Sequence, residues 1–221
     1  MTSYPPNTPR LAKVALVVFS PGVSTPSVIT FQYNPETLSR DVSASIGEGG
    51  AVGDAFRLGG AASESLKMEA VFDATDDLAD DEGDALAHGV RHRLAALEVL
   101  LHPSVASVRR NAALLALGTI EILPAEAPFT VLVMGARVQP VRLSALSVTE
   151  EAFDTELNPI RARVSLDFAV LGWSDLPRSH PGYALSLAHQ SVIEQLARRG
   201  RAAAPSSILS RTLGSQALGS L

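Results

Sequence analysis

VQPVRLSALSVTEEAFDTELNPIRARVSLDFAVL, running from Val138 to Leu171, decides the fold. It reads as two strands joined by an acidic turn that carries Asn158-Pro159. In its second half Ile160, Ala162, Val164, Leu166, Phe168 and Val170 alternate with Arg161, Arg163, Ser165, Asp167, Ala169 and Leu171. A period of two presents two faces only on a strand. One face is apolar and the other is mostly polar over its first four positions. The strand is therefore expected in an antiparallel sheet, with one side on a core and the other towards water or a partner. Nothing in the stretch carries the marks of chemistry.

Working outward, Leu11 to Phe19 is a short β-branched apolar run closed by Ser20-Pro21-Gly22, the pattern of a buried strand. Ile29, Phe31 and Tyr33 alternate with Val28, Thr30 and Gln32 until Asn34-Pro35. Proline restrains its predecessor and cannot continue a ladder, so the strand ends there. These first two strands are expected to pair as a hairpin. Leu66, Met68, Ala70 and Phe72 alternate with Lys67, Glu69 and Val71 as a half-buried third strand. Phe129 to Met134 is apolar on both faces apart from Thr130 and is closed by Gly135, which places it centrally in the sheet. Thr119 to Leu123 reads as one more short strand, for a total of about six.

Between the third strand and Phe129 the period changes. Leu86, Val90, Leu94, Leu97 and Leu101 recur at spacings of three and four, one continuous helical stripe, with Arg91, Arg93 and Glu98 elsewhere on the circumference. His102-Pro103 breaks this helix and Ser104 caps a second, whose apolar face is Val105, Val108, Ala112 and Leu115, ending at Gly118. The expected fold is α+β: a mainly antiparallel sheet or partial barrel of about six strands, covered by a helical insertion at 84–117. Residues 1–10, with three prolines, form an extended arm, and 11–173 form the sheet domain. Residues 174–221 supply a linker, a helix over Tyr183 to Arg199 with Leu185, His189, Val192 and Leu196 on one face, and a tail. That tail keeps Ile208, Leu209, Leu213, Leu218 and Leu221, which marks it as a segment that binds a partner.

Composition narrows the function. With 46% hydrophobic and 19% charged residues the chain is globular rather than disordered. Eighteen basic residues against 23 acidic ones give a net charge of -5, and the basic residues are scattered, so no nucleic-acid footprint is expected. The absence of cysteine excludes a disulfide scaffold, a thiolate zinc site and a cysteine nucleophile, and fits a cytoplasmic protein. The first residues lack a signal-peptide pattern, and no apolar run reaches the roughly 18 residues of a membrane span. Neither secretion by a signal peptide nor membrane insertion is expected.

Three stretches raise the question of chemistry. Ser39 to Ser65 holds Gly47, Gly49, Gly50, Gly53, Gly59 and Gly60, but lacks the strand before and the helix directly after that a phosphate cradle needs, and reads as a long loop. The acidic run from Asp73 to Asp84 places Asp80, Glu82 and Asp84 at positions 1, 3 and 5, the first three ligand positions of a calcium loop. Ala85 then stands where glycine is required and Arg91 where glutamate is required. These carboxylates instead favour the positive end of a helix. His88 and His92, four apart, would share a helix face as in zinc proteases, yet Gly89 follows the first where the water-activating glutamate belongs. No catalytic, cofactor-binding or metal-ligating residue is assigned, and no enzyme is expected.

Four of these elements, taken in order, resemble a known family. Phe31-Gln-Tyr-Asn-Pro-Glu-Thr-Leu-Ser-Arg40 is followed by Leu66-Lys-Met-Glu-Ala-Val-Phe-Asp73, then Pro128-Phe-Thr-Val-Leu-Val-Met-Gly135, then Asn-Pro-Ile-Arg-Ala-Arg163. The order resembles the tube-like baseplate and adaptor proteins of bacterial contractile injection systems, the phage-tail-like particles, from about Val14 to Trp173. The sequence departs at Met134, where an aromatic is expected before Gly135. It also lacks the LysM domain that often follows the last strand, so cell-wall binding is not carried over. The resemblance implies a homo-oligomeric ring of six that connects the inner tube with the baseplate or spike, in the bacterial cytoplasm within an assembled particle. The alternatives are a tube-end or cap adaptor of the same particle, and an unrelated module whose Gly-rich loop and acidic run hold a small ligand or ion.

Overall fold

The computed structural model describes residues 12–20, 23–46, 57–80, 82–118 and 126–200. The chain is α+β. Seven strands, β1 (Ala15–Phe19), β2 (Ser27–Thr30), β3 (Leu38–Ser43), β4 (Ser63–Asp73), β5 (Phe129–Met134), β6 (Arg137–Phe153) and β7 (Pro159–Val170), form one antiparallel sheet. Their order is β2-β1-β5-β6-β7-β4-β3. Among the described residues the strands number seven, close to the six or so expected. The addition, β3, lies where a loop was expected from Ser39: its residues LSRDVS bury nothing fully, and pairing with β4 rather than a core makes them a strand. The N-terminal arm, residues 47–56 of the Gly-rich stretch, the Thr119 to Leu123 strand and the tail at 201–221 lie outside the described residues.

Alternation along β7 sets the core as expected. Ala162, Val164, Leu166 and Phe168 are buried, and the register aligns Phe168 with Leu66 of β4 and Leu143 of β6. The next rows are Leu166 with Met68 and Leu146, then Val164 with Ala70 and Val148. Along β6 the inward positions change from odd to even numbers because a bulge inserts Ser144 between Leu143 and Ala145. The Ser144 hydroxyl donates to the Asp167 carbonyl at 2.8 Å and anchors the bulge.

Two side-chain amides after β2 act as strand pairs and tie it to strands beyond its own ladder. β2 ends at Thr30, earlier than the Asn34-Pro35 signal indicated, but Phe31 is fully buried and stacks on Phe72 with ring centroids 6.2 Å apart. The Gln32 amide donates to the Asp73 carbonyl (2.8 Å) and accepts from the Asp73 N–H (2.9 Å), which ties this end of β2 to the end of β4. The Arg93 guanidinium donates to the same Gln32 oxygen at 2.9 Å. Asn34 repeats the device: its oxygen accepts from Val14 N–H (3.0 Å) and its amide donates to the Ala12 carbonyl (2.9 Å). Replacing Gln32 with leucine strands both backbone groups of Asp73 and leaves Arg93 with Asp77 alone. We expect a loss of about 1–3 kcal/mol in urea unfolding, and an unchanged midpoint would contradict the tie between β2 and β4.

The helical cover differs from its expected form. α1 (Thr75–Ala79), α2 (Gly83–His88) and α3 (Arg91–Glu98) precede a 3-10 turn (Val99–Leu101) and α4 (Val105–Ala116). The single stripe from Leu86 to Leu101 is broken at Gly89, where the hairpin leading into β7 comes too close for a regular helix: Val90 N–H donates to the Pro159 carbonyl at 2.8 Å. Val90, Leu94, Leu97 and Leu100 are buried against the sheet, while Leu86 and Leu101 are exposed. Ser104 caps α4 as expected, accepting from Ser107 N–H at 3.1 Å. The face expected to cover the sheet is uncovered, however, since α4 has no buried residue.

The chain divides into two compact units, Met1–Ser186 and Leu187–Leu221, and α5 (Pro181–Gly200) runs through the division. Within the first unit the segment before α5 packs on β5. Gly172 N–H donates to the Asp175 carboxylate at 2.7 Å, and His180 stands edge-on to Phe129 with centroids 4.6 Å apart. In the second unit Val192, Ile193 and Leu196 are exposed.

Candidate functional site: a polar sheet face with open borders

Four strands, β6, β7, β4 and β3, share a reverse face with almost no apolar side chain. The register brings Ser39 and Asp41 of β3 beside Lys67 and Ser65 of β4, and Glu69 beside Ser165 and Ser147. None of these positions is buried, so no described element covers the face. Its charges pair across strands. Glu151 receives Arg163 at 3.0 Å and Arg161 at 3.9 Å, Arg161 reaches Asp73 at 4.0 Å, and Lys67 reaches Asp167 at 3.9 Å. Exposed pairs of this kind contribute little stability. They do fix a hydrophilic, self-neutralising surface on which small serines separate the charges.

Both borders of this four-strand region are unpaired among the described residues. β3 pairs only with β4. β6 is 17 residues long, but β5 covers only its start, up to Val141, so Arg142 to Phe153 has a strand partner on the β7 side alone. A border of this length presents a row of backbone donors and acceptors that another strand can occupy.

The hairpin end beside this border is held rigidly. Asp154 accepts from the N–H groups of Glu156 and Asn158, both at 2.8 Å, and from the Asn158 side-chain amide at 3.0 Å. Leu157 adopts a positive φ of 63° within that turn. The Asn158 hydrogen bonds hold the Asp154 carboxyl below the usual carboxylate range. Asp73 is lowered too, chiefly by the Thr75 hydroxyl at 2.5 Å and Thr75 N–H at 2.9 Å, with Arg161 assisting. For a carboxylate whose folded pKa is depressed, the stabilisation is present above the unfolded pKa of about 3.9 and is lost as pH falls through the folded value. Thermal stability should therefore be flat through neutral pH and decline below about pH 4. The decline should be shallower in Asp73→Asn, and an equally steep acid limb in that variant would contradict the assignment.

Two clefts are relevant, and only one adjoins the face. The one on the face, of about 380 Å³, is lined by Tyr33, Asn34, Glu69, Arg161 and Arg163; the other, of about 850 Å³, lies away from it between β2 and the helices, lined by Lys13, Thr30, Asp76, Asp80 and His92. The residues weighed from sequence are not brought together. His88 ends α2 and His92 lies in α3, on opposite sides of the Gly89 break, so the shared helix face assumed from their spacing does not exist. Asp80 and Asp84 flank the junction between α1 and α2. Among the described residues no group of three or more His, Asp or Glu is placed to hold a metal, and no helix is long and apolar enough to cross a membrane. The open border of β6 was missed, although its signal was present: the β6–β7 hairpin is far longer than the β5 run preceding it. A scan against protein-family models gives no match, and no curated protein matches the sequence.

Proposed function

We propose that the chain is a structural subunit of a contractile injection system, a phage-tail-like nanomachine of bacteria, and forms a ring connecting the inner tube with the baseplate or spike. The observation that carries this reading is the four-strand polar face bordered by unpaired strands on both sides. A sheet open at two different borders offers a head-to-tail contact to its neighbours, and such contacts form a ring where the rotation between neighbours closes. Ring closure pairs every border and leaves the polar face lining a lumen, which removes the aggregation hazard of the open edges. The order of the four sequence stretches that resembles the tube-like baseplate family supports the same reading and implies six copies. It also implies inner tube, spike or other baseplate proteins as partners in the bacterial cytoplasm, while the scattered basic residues and the lack of a long apolar run argue against nucleic acid and membrane insertion. A tube-end or cap adaptor uses the same ring at the opposite end. The role is structural rather than enzymatic. Electron microscopy of particles carrying a tagged copy of this chain tests it. Tag density in one ring at an end of the tube is expected, and tag absent from particles, with the chain monomeric beside them, would overturn the proposal.

A further inference from the structure

The helical insertion runs from the end of β4 past the start of β7 to β6. It leaves β4 where Ala74 N–H donates to the Ile160 carbonyl (2.8 Å), passes the start of β7 where Val90 N–H donates to Pro159, and reaches β6 at the 3-10 turn. Its two ends are opposite in charge, and each exposes apolar side chains. At the β4 end, Asp76, Asp80, Glu82 and Asp84 form no ion pair with a described cation, and Leu86 beside them is 50% exposed. At the β6 end, α4 carries two arginines and no acidic residue. Val105, Val108 and Leu115 of α4 are 65%, 51% and 54% exposed, and Arg109, one turn after Val105, borders their stripe. Neither Arg109 nor Arg110 forms an ion pair with a described residue.

An amphipathic helix with its whole apolar stripe in water is a contact surface lacking its partner. The geometry points to a second copy of this chain as that partner: the apolar stripe and arginines of α4 in one copy dock on Leu86 and the acidic α1–α2 segment of the next. Charge complementarity selects this occupant, because the acidic patch is displayed by the same molecule at the other end of the insertion. The two patches differ, so the contact is head-to-tail rather than two-fold, as a ring requires. The inference deepens the ring reading and rests on it for the number of copies.

Charge reversal tests it on the full-length chain, with sedimentation velocity reading assembly and circular dichroism reading folding. Arg109→Glu/Arg110→Glu should weaken self-association by about tenfold or more, and so should Asp80→Arg/Asp84→Arg. The chain carrying all four substitutions should recover assembly, because every contact again joins opposite charges. Val108→Glu, which alters the stripe without touching an arginine, should also dissociate the assembly. Folded arginine variants that assemble as the parent does, or a folded quadruple variant that stays dissociated, would overturn the contact while leaving the ring reading standing. A parent chain that is monomeric at all concentrations would overturn both. Loss of binding to phosphatidylserine vesicles in the arginine variant, with self-association intact, would assign the helix to a membrane surface and overturn the inference.

Discussion

Phe168→Ala will lower the free energy of unfolding by about 3–5 kcal/mol, a large share of what holds a typical domain together. The ring is fully buried at the centre of β7, between Leu66 and Leu143 in the same cross-strand row. Removing it leaves a cavity that strands on both sides, held by their own ladders, cannot collapse to fill. On the opposite face Arg161 makes only long ion pairs, at 3.9 and 4.0 Å, so Arg161→Ala should stay within about 0.5 kcal/mol of the parent. Urea denaturation of the two variants side by side is sufficient. A mild Phe168→Ala and a severe Arg161→Ala would mean that the faces of the sheet are exchanged.

Gly89→Ala should cost about 2–4 kcal/mol, more than most substitutions of so little volume. Gly89 adopts φ 54° and ψ -132°, a backbone region closed to residues with a Cβ. A Cβ there would stand 2.1 Å from the Pro159 carbonyl oxygen, which is main chain and cannot rotate away. The insertion or the start of β7 must move, and the Val90 to Pro159 hydrogen bond is lost with it. Gly83→Ala is the control, since it begins α2 with nothing within 4 Å of its added Cβ, and it should be neutral or slightly stabilising. Equal melting midpoints for the two variants would contradict the close approach.

The Gly89 break also shows where reading the sequence stops. The alternation from Ile160 to Val170 is imposed by a core on one side of a strand, a local pattern that one stretch of residues carries in full. The central place of β5 and the pairing of β1 with β2 were legible for the same reason. The stripe from Leu86 to Leu101 was equally periodic, but whether it bends depends on Pro159, seventy residues later, which a local pattern does not register. β3 had no apolar signal because an edge strand is held by backbone pairing. Gln32 and Asn34 read as strand residues, and the backbone groups their amides pair with belong to Asp73 and to Ala12 and Val14, which a local pattern does not register. On α4 the apolar face was read correctly and its destination was not: periodicity identifies a face to be covered, whether by the same molecule or by another.

The central claim is that the unpaired borders of the sheet join neighbouring copies. Amide hydrogen exchange of the full-length chain, followed residue by residue across a concentration series, tests it most directly. Ring closure predicts that the outward amides of β3 and of β6 from Arg142 to Phe153 exchange rapidly in dilute solution. They should become protected together at the concentration where the particle mass rises. Protection elsewhere on an assembled particle, with both borders still exchanging as they do in the dilute chain, would contradict the account.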